Sequence, residues 1–239
     1  MDPLHNSGYI SLEVMSKADK FNHWMAETIA TYVSGETLEI GSGLGNISRY
    51  FIDNDFHITL SDIDPYYLDI LKNQFQNTNN VKDIISIDLQ SSNFAECYRE
   101  FENKFDTIFY LNVLEHLEFE DLAIQNSQFI LKSGGSLIVL VPAYSFLYSP
   151  MDMALDHYRR YTRKTLNNAF QRNHMVVTKS FYFNFLGIGA WIYGKIKKLK
   201  TVPKSEMNTF NALIPLAKLL DKVLLHSMGL SVISIAKKR

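Results

Sequence analysis

Apolar residues run in short blocks along the first two thirds of the chain. Residues 37–40, 56–61, 83–87, 105–111 and 136–141 are brief, rich in Ile, Val, Leu and Phe, and bounded by turn residues. That is the pattern of strands buried on both faces of a parallel sheet. Between them, 47–54, 65–76, 94–103 and 119–131 are amphipathic segments. Pro65 suits a first helical position with Asp64 before it as N-cap, and Gly134-Gly135 closes a helix ending at Leu131-Lys132. Upstream, 18–33 reads as a further helix, with Phe21, Met25, Ile29 and Val33 recurring on one face. Strand and helix alternating at this spacing predict an α/β, doubly wound, mostly parallel sheet.

The last third follows another rhythm. Residues 175–183 and 230–236 read as two late strands that give the sheet an antiparallel edge. The connection between them, 184–228, is too long for a plain loop and should carry its own helices as a cap. One of these, 210–225, is expected to be interrupted by Pro215. No repeat and no Gly/Ser/Pro linker divides the 239 residues, so a single domain over 1–239 is expected, with 1–35 as an N-terminal helical cover.

Composition narrows the class. Hydrophobic residues at 46% and charged residues at 21% fit a folded protein. A net charge of -1 provides no field to attract nucleic acid, so no nucleic-acid partner is expected. Cys97 is the sole cysteine, which excludes intramolecular disulfides and cysteine-based zinc sites and suggests a reducing compartment. No metal is expected. The start, Met1-Asp2-Pro3-Leu4-His5, lacks the basic and apolar regions of a secretory leader, and no stretch is long and apolar enough to span a bilayer. A cytoplasmic protein is the expectation.

The chemistry-bearing signals lie at strand ends. Leu38-Glu39-Ile40-Gly41-Ser42-Gly43-Leu44-Gly45 places a glycine-rich turn between a buried strand and a helix, where backbone amides can face a ligand closely. About twenty residues on, the second strand ends in Ser61-Asp62-Ile63-Asp64, and a carboxylate at that tip can accept both ribose hydroxyls of an adenosine. Asp62 is the candidate, while Asp64 caps the next helix; a capping role for Asp62 is the competing reading. The third strand ends in Asp88-Leu89, able to accept from an adenine amino group and to donate from a backbone amide. The fourth leads into Asn112-Val113-Leu114-Glu115-His116.

Taken together, these elements resemble class I S-adenosylmethionine-dependent methyltransferases over residues 37–142. Glu39-Ile40-Gly41-Ser42-Gly43 matches that family's acidic-x-Gly-x-Gly loop, Asp62 its ribose-binding acid, Asp88-Leu89 its adenine pair and Asn112 to His116 its Val-Leu-Glu-His segment. Leu131-Lys132-Ser133-Gly134-Gly135 matches its Leu-Lys-Pro-Gly-Gly turn, with Ser133 replacing the common Pro. The resemblance implies a Rossmann-like, seven-stranded sheet with an antiparallel edge strand. It also implies S-adenosylmethionine as cofactor, S-adenosylhomocysteine as product, and cofactor contacts from Glu39, Gly41, Ser42, Gly43, Asp62, Ile63, Asp88, Leu89 and Asn112. A narrower resemblance, carried by Val141 to Tyr148, Met151-Asp152 and His157-Tyr158-Arg159-Arg160-Tyr161-Thr162, is to a bacterial subgroup associated with polysaccharide or glycolipid pathways. Residues 18–24 resemble its leading helix, which would fold across the cofactor.

An activated sulfonium needs the acceptor held in line and water kept out. For an oxygen acceptor a general base near neutrality helps. His157, in the loop after Pro142, and His116 are the candidates, each with a structural hydrogen-bonding role as the alternative. Tyr144, Arg159 and Arg160 are candidate acceptor contacts; the two guanidinium groups suit a carboxylate or phosphate, or else pair with surface acids. Glu115 belongs near the cofactor or behind the glycine loop. Residues 181–200, aromatic-apolar and followed by lysines, fit a cap over the acceptor pocket or a peripheral contact with the inner membrane face. The expected acceptor is a small molecule or a lipid-linked glycan. A catalytically silent binding module is the rival from another class. A nicotinamide-dependent oxidoreductase is the weaker enzymatic alternative, because the glycines fall at 41, 43 and 45 with Asn46 next.

Overall fold

The computed structural model describes residues 13–199, 201 and 207–239. One sheet holds β1 (Thr37–Ile40), β2 (Ile58–Asp62), β3 (Val81–Ser86), β4 (Phe105–Leu111), β5 (Leu131–Pro142), β6 (Val176–Phe183) and β7 (Ser231–Lys237). Their order is β3-β2-β1-β4-β5-β7-β6. The first five strands are parallel. At the far edge β7 runs antiparallel to both β5 and β6, which is the predicted antiparallel edge. Chain order reverses between β1 and β4, so a crevice opens at the carboxyl ends of those two strands, where ligands of open α/β sheets bind.

Side-chain alternation divides the core into two layers. Leu38, Ile108, Tyr110, Leu137 and Val139 pack on one face with Phe170. Phe109, Ile138 and Leu140 point to the other and meet Phe51, Ile58, Trp24 and Phe183. The helix Asp19–Ala30 covers that second face, with Phe21 and Trp24 ring centroids 5.9 Å and 4.2 Å from Phe183. It is the main described part of the expected N-terminal cover; residues 1–12 lie outside the described residues.

Several boundaries follow the expected caps and several do not. The Asp64 carboxylate accepts from the Tyr66 N–H at 2.9 Å and Pro65 opens the helix Pro65–Phe75, as expected. The helix Glu120–Ile130 stops one turn residue earlier than the glycine pair predicts, because Leu131 already pairs with Phe105 in the sheet. Segment 94–103 is a four-residue helix, Phe94–Cys97, followed by a tight 3-10 turn, Arg99–Phe101. The cap contains the helices Gly187–Ile196 and Met207–Val223. Contrary to expectation, Pro215 does not interrupt the second: it lies on the exposed side, where the carbonyl it leaves without a donor can be hydrated.

The 181–200 stretch also divides differently from the expectation. Phe181 and Phe183 are buried residues of β6 rather than part of a surface. Trp191 turns inward, its Nε1 donating to the Leu147 carbonyl at 3.0 Å, so this helix seats on the loop after β5. Among the described residues no helix is long and apolar enough to cross a membrane; residues 200 and 202–206 are outside the described set.

Candidate functional site

The glycine turn and the acid at the tip of β2 meet directly. The Gly43 N–H donates to Asp62 Oδ2 at 2.9 Å, and the Asp64 N–H donates to Asp62 Oδ1 at 3.1 Å. Two further bonds lock the loop to β2: the Ser42 N–H to the Ser61 carbonyl at 2.8 Å, and the Ser61 N–H to Ser42 Oγ at 3.2 Å. Gly41, Gly43 and Gly45 all have positive φ. Gly41 is further constrained because a Cβ there would lie 2.6 Å from Val113 Cγ2. The backbone therefore passes against the loop after β4 with no room for a side chain. Burial raises the Asp62 carboxyl above its usual range, against the amides that donate to it.

The other expected cofactor residues lie at or next to the carboxyl ends of β1 to β4. Glu39 is buried beneath the loop and accepts a short hydrogen bond from Ser48 Oγ, so its carboxylate braces the turn from behind. Burial pushes its pKa up to about 7, with Ser48 opposing. Ile63, beside Asp62, is 60% exposed, an apolar surface next to the ribose-binding candidate. Asp88 Oδ1 accepts from the Gln90 N–H at 2.8 Å, and its own N–H donates to Tyr98 Oη, which fixes the turn after β3. Leu89 is buried, and its carbonyl accepts from Asn126. Asn112 is exposed at the end of β4 with φ 56°, its N–H donating to the Leu140 carbonyl. The chemistry of this set suits an adenosine: a glycine-rich turn, a carboxylate bonded to it and an exposed apolar side chain beside them. A depression lined by Ser34, Glu36, His57 and Asp106 sits at the opposite, amino ends of the strands.

The second half of the site is built by the loops after β4 and β5. Asp152 organises it. Its Oδ1 accepts from Arg160 Nε at 2.8 Å and faces His157 Nδ1 at 2.9 Å, while its Oδ2 accepts from the Ser149 N–H and Oγ. His157 meets His116 edge to face, with ring centroids 4.6 Å apart. Burial, then the neighbouring His157, lowers the His116 pKa to about 4 against a hydrogen bond with the Leu155 backbone. Glu115 is fully buried and neither carboxylate oxygen has a hydrogen-bond partner; burial pushes its pKa up to about 8. Tyr144 holds φ 62° and stacks on Tyr182 at 5.0 Å and on the exposed Phe146 at 5.3 Å.

The two arginines expected at the acceptor bind largely to the protein itself. Arg160 is buried, bonded to Asp152 and to the Ala143 carbonyl, and covered by Trp191 with its guanidinium carbon 4.3 Å from that ring. Arg159 donates to the Glu118 carbonyl, lies 3.6 Å from Glu120 and rests over Tyr158. Most of both guanidinium groups is thus bound to the protein's own acceptors, while Arg160 Nη2 is buried without a hydrogen-bond partner. Sequence reasoning gave Asp152 no role, although it stands five residues before His157 and supplies the orienting carboxylate.

A family model described as a methyltransferase domain matches residues 18–179. The chain belongs to this family. The matched span contains the glycine turn, Asp62, Asp88, the imidazole pair and Asp152. This methyltransferase is 32% identical over 131 residues to the uncharacterized protein Rv1509 of Mycobacterium tuberculosis, covering 53% of this chain and 43% of that protein. It is 23% identical over 141 residues to the ubiquinone/menaquinone biosynthesis C-methyltransferase UbiE of Neisseria gonorrhoeae, covering 58% and 54%. The chain thus spans about half the length of these relatives or less. Among solved structures it superposes on a SAM-dependent methyltransferase from Archaeoglobus fulgidus with a TM-score of 0.57 and 14% identity, over 91% of this chain and 94% of the other.

Proposed function

We propose that this methyltransferase uses S-adenosylmethionine to methylate a hydroxyl oxygen of a small molecule or lipid-linked glycan. The observation that carries the reading is the Gly43–Asp62 contact of 2.9 Å, which joins the anion-facing turn and the ribose-binding candidate into one cradle. When bound, the cofactor supplies a methyl group already activated on a sulfonium. Asp62 keeps lone pairs on both oxygens for ribose hydroxyls, Ile63 offers an apolar face to the adenine, and Asp88 keeps its second oxygen for the adenine amino group. The backbone of the glycine turn at 41–43 and the exposed Asn112 complete the cofactor contacts, with Glu39 as a positioning residue beneath them.

The acceptor side is supported by different features. The exposed Phe146, backed by Tyr144, gives an aromatic face suited to the flat face of a sugar or other ring. The imidazole pair beside Glu115 is the part of the site that handles the hydroxyl proton: Asp152 holds His157, and the Leu155 backbone holds His116. Hydroxyl methylation favours such a cluster because the leaving proton needs a defined destination.

A peripheral contact with the inner membrane face belongs to the same reading. Helix 207–223 buries Ile214, Ala217 and Asp221 but exposes Leu213, Leu216, Leu219 and Val223 at helical spacing, with Lys222 beside them. Helix 187–196 exposes Ile192, Tyr193 and Ile196, followed by exposed Lys197 and Lys198. Apolar stripes edged by lysines suit anionic headgroups, and that placement would bring a lipid-linked acceptor to the cap.

The test is transfer of radiolabelled methyl from S-adenosylmethionine into water-soluble and lipid extracts of the source cells, with mass spectrometry of the labelled product. The reading expects an O-methylated product in one fraction. A product methylated on carbon or nitrogen overturns the oxygen assignment, and cofactor binding without label in either fraction favours the silent module.

A further inference from the structure

Glu115, His116 and His157 come from two loops and converge on one point. One ligand-capable atom from each lies within 4.8 Å of the others, a carboxylate oxygen and two imidazole nitrogens. Neighbouring ligands of a tetrahedral zinc-class ion, bound at about 2.0–2.1 Å, stand about 3.4 Å apart, so an inward movement of up to about 1.4 Å between a pair closes the set. We propose that these three side chains bind a single divalent metal ion of the zinc, manganese or cobalt class.

Three independent features point the same way. Both carboxylate oxygens of Glu115 are fully buried without a hydrogen-bond partner, whereas the other buried carboxylates among the described residues, Glu39, Asp62, Asp152 and Asp221, accept hydrogen bonds. His157 is already held through Nδ1 by the Asp152 carboxylate at 2.9 Å, and His116 lies edge to face against it. That leaves His157 Nε2 and one His116 nitrogen as donors, the carboxylate–histidine–metal arrangement that fixes ring orientation and tautomer. The local charge also allows an ion. A bound cation would displace the Glu115 proton, and Glu115 and Asp152 would then set two negative charges against the one positive charge of Arg160, whose Nε and Nη1 are bound to Asp152 and the Ala143 carbonyl.

Three protein ligands leave a coordination position open, as catalytic metal sites do. The inference rests on the methyl-transfer reading for the ion's use, not for its binding. With an ion bound, the two imidazoles would serve as its ligands and not as the base. The cluster would then handle the hydroxyl proton by making a metal-bound acceptor oxygen more acidic, and that proton would leave to solvent water. The lone pair of that oxygen forms the O–CH3 bond as the electron pair of the C–S bond stays on sulfur.

The experiment is Co2+ titration of the chelator-treated full chain, read by visible absorption, with metal content checked by mass spectrometry after dialysis. We expect one Co2+ per chain with a nitrogen-ligand spectrum. His157→Ala and Glu115→Gln should abolish it while leaving the thermal shift given by S-adenosylhomocysteine, which also reports that the variants are folded. Asp152→Asn, acting through His157, should weaken Co2+ binding roughly 10–100-fold. No spectrum and no retained ion in folded wild-type protein overturns the metal site, and leaves the transferase reading standing if S-adenosylhomocysteine still binds. Absence of a cofactor shift alongside a normal Co2+ spectrum does the reverse.

Discussion

The two ends of the crevice are built on different principles. At the cofactor end the backbone does the work: glycines with positive φ, amides donating into Asp62, and a cradle only as wide as Val113 allows. At the acceptor end the side chains do it, with Asp152 gathering Arg160, His157 and Ser149, Trp191 lying over Arg160, and Glu115 left without a partner. A backbone site is narrow in what it accepts and leaves a short, contiguous sequence trace. A side-chain site draws on residues 115 to 191 and can be rebuilt by a few substitutions. The difference explains how one fold keeps one donor while varying acceptors.

Breaking the acceptor end should give the largest effect. His157→Ala should lower methyl transfer by about 10²–10⁴-fold while sparing S-adenosylhomocysteine binding, measured by single-turnover label transfer beside a thermal shift. An equal loss of both would merge the two regions into one.

Stability against pH tests the buried brace at the cofactor end. Glu39 has a folded pKa of about 7, raised by burial above its unfolded value of about 4.5. The native state therefore binds more protons across that window, and Glu39 makes stability fall as pH rises from about 4.5 to 7. Glu39→Gln should remove that slope and gain up to about 3 kcal/mol at pH 8, with little change at pH 4. Denaturant unfolding at several pH values reads this directly; a parallel offset at every pH contradicts it.

A smaller effect is expected at Gly41. Gly41→Ala places a Cβ against Val113 and forces an alanine to φ 74°, for a loss of about 1–3 kcal/mol. Adding Val113→Ala should recover the part due to the clash and not the part due to φ. Failure of the double variant to recover any stability would mean the loop is constrained elsewhere.

Smallest in stability is the surface change Leu216→Asp with Leu219→Asp, expected within about 0.5 kcal/mol per site because both side chains are exposed. It should nevertheless abolish co-sedimentation with anionic vesicles. Retained sedimentation would remove helix 207–223 from the membrane contact.

The same contrast governs what could be read from the chain. The first five strands, the Asp64 cap and the glycine–Asp62 pair were legible because periodicity and short motifs encode local geometry. The fate of Arg159 and Arg160 was not, since an irregular loop has no period to tell inward from outward. Pro215 misled because a proline on a solvated helix face loses a hydrogen bond that water can replace. The Glu115–His116–His157 cluster contradicts no motif but has none of its own. Glu115 and His116 lie on the loop after β4 and His157 on the loop after β5, and only the parallel pairing of those two strands brings them together. Asp152 was visible as a residue but not as the carboxylate behind an imidazole.

The central claim is that the glycine turn and Asp62 form one adenosine-binding cradle, and calorimetric titration with S-adenosylhomocysteine tests it most directly. Wild-type protein should bind one equivalent per chain, and Asp62→Ala, folded by circular dichroism, should lose that binding. Unchanged affinity in the variant, or no binding by the folded wild type, would contradict the account.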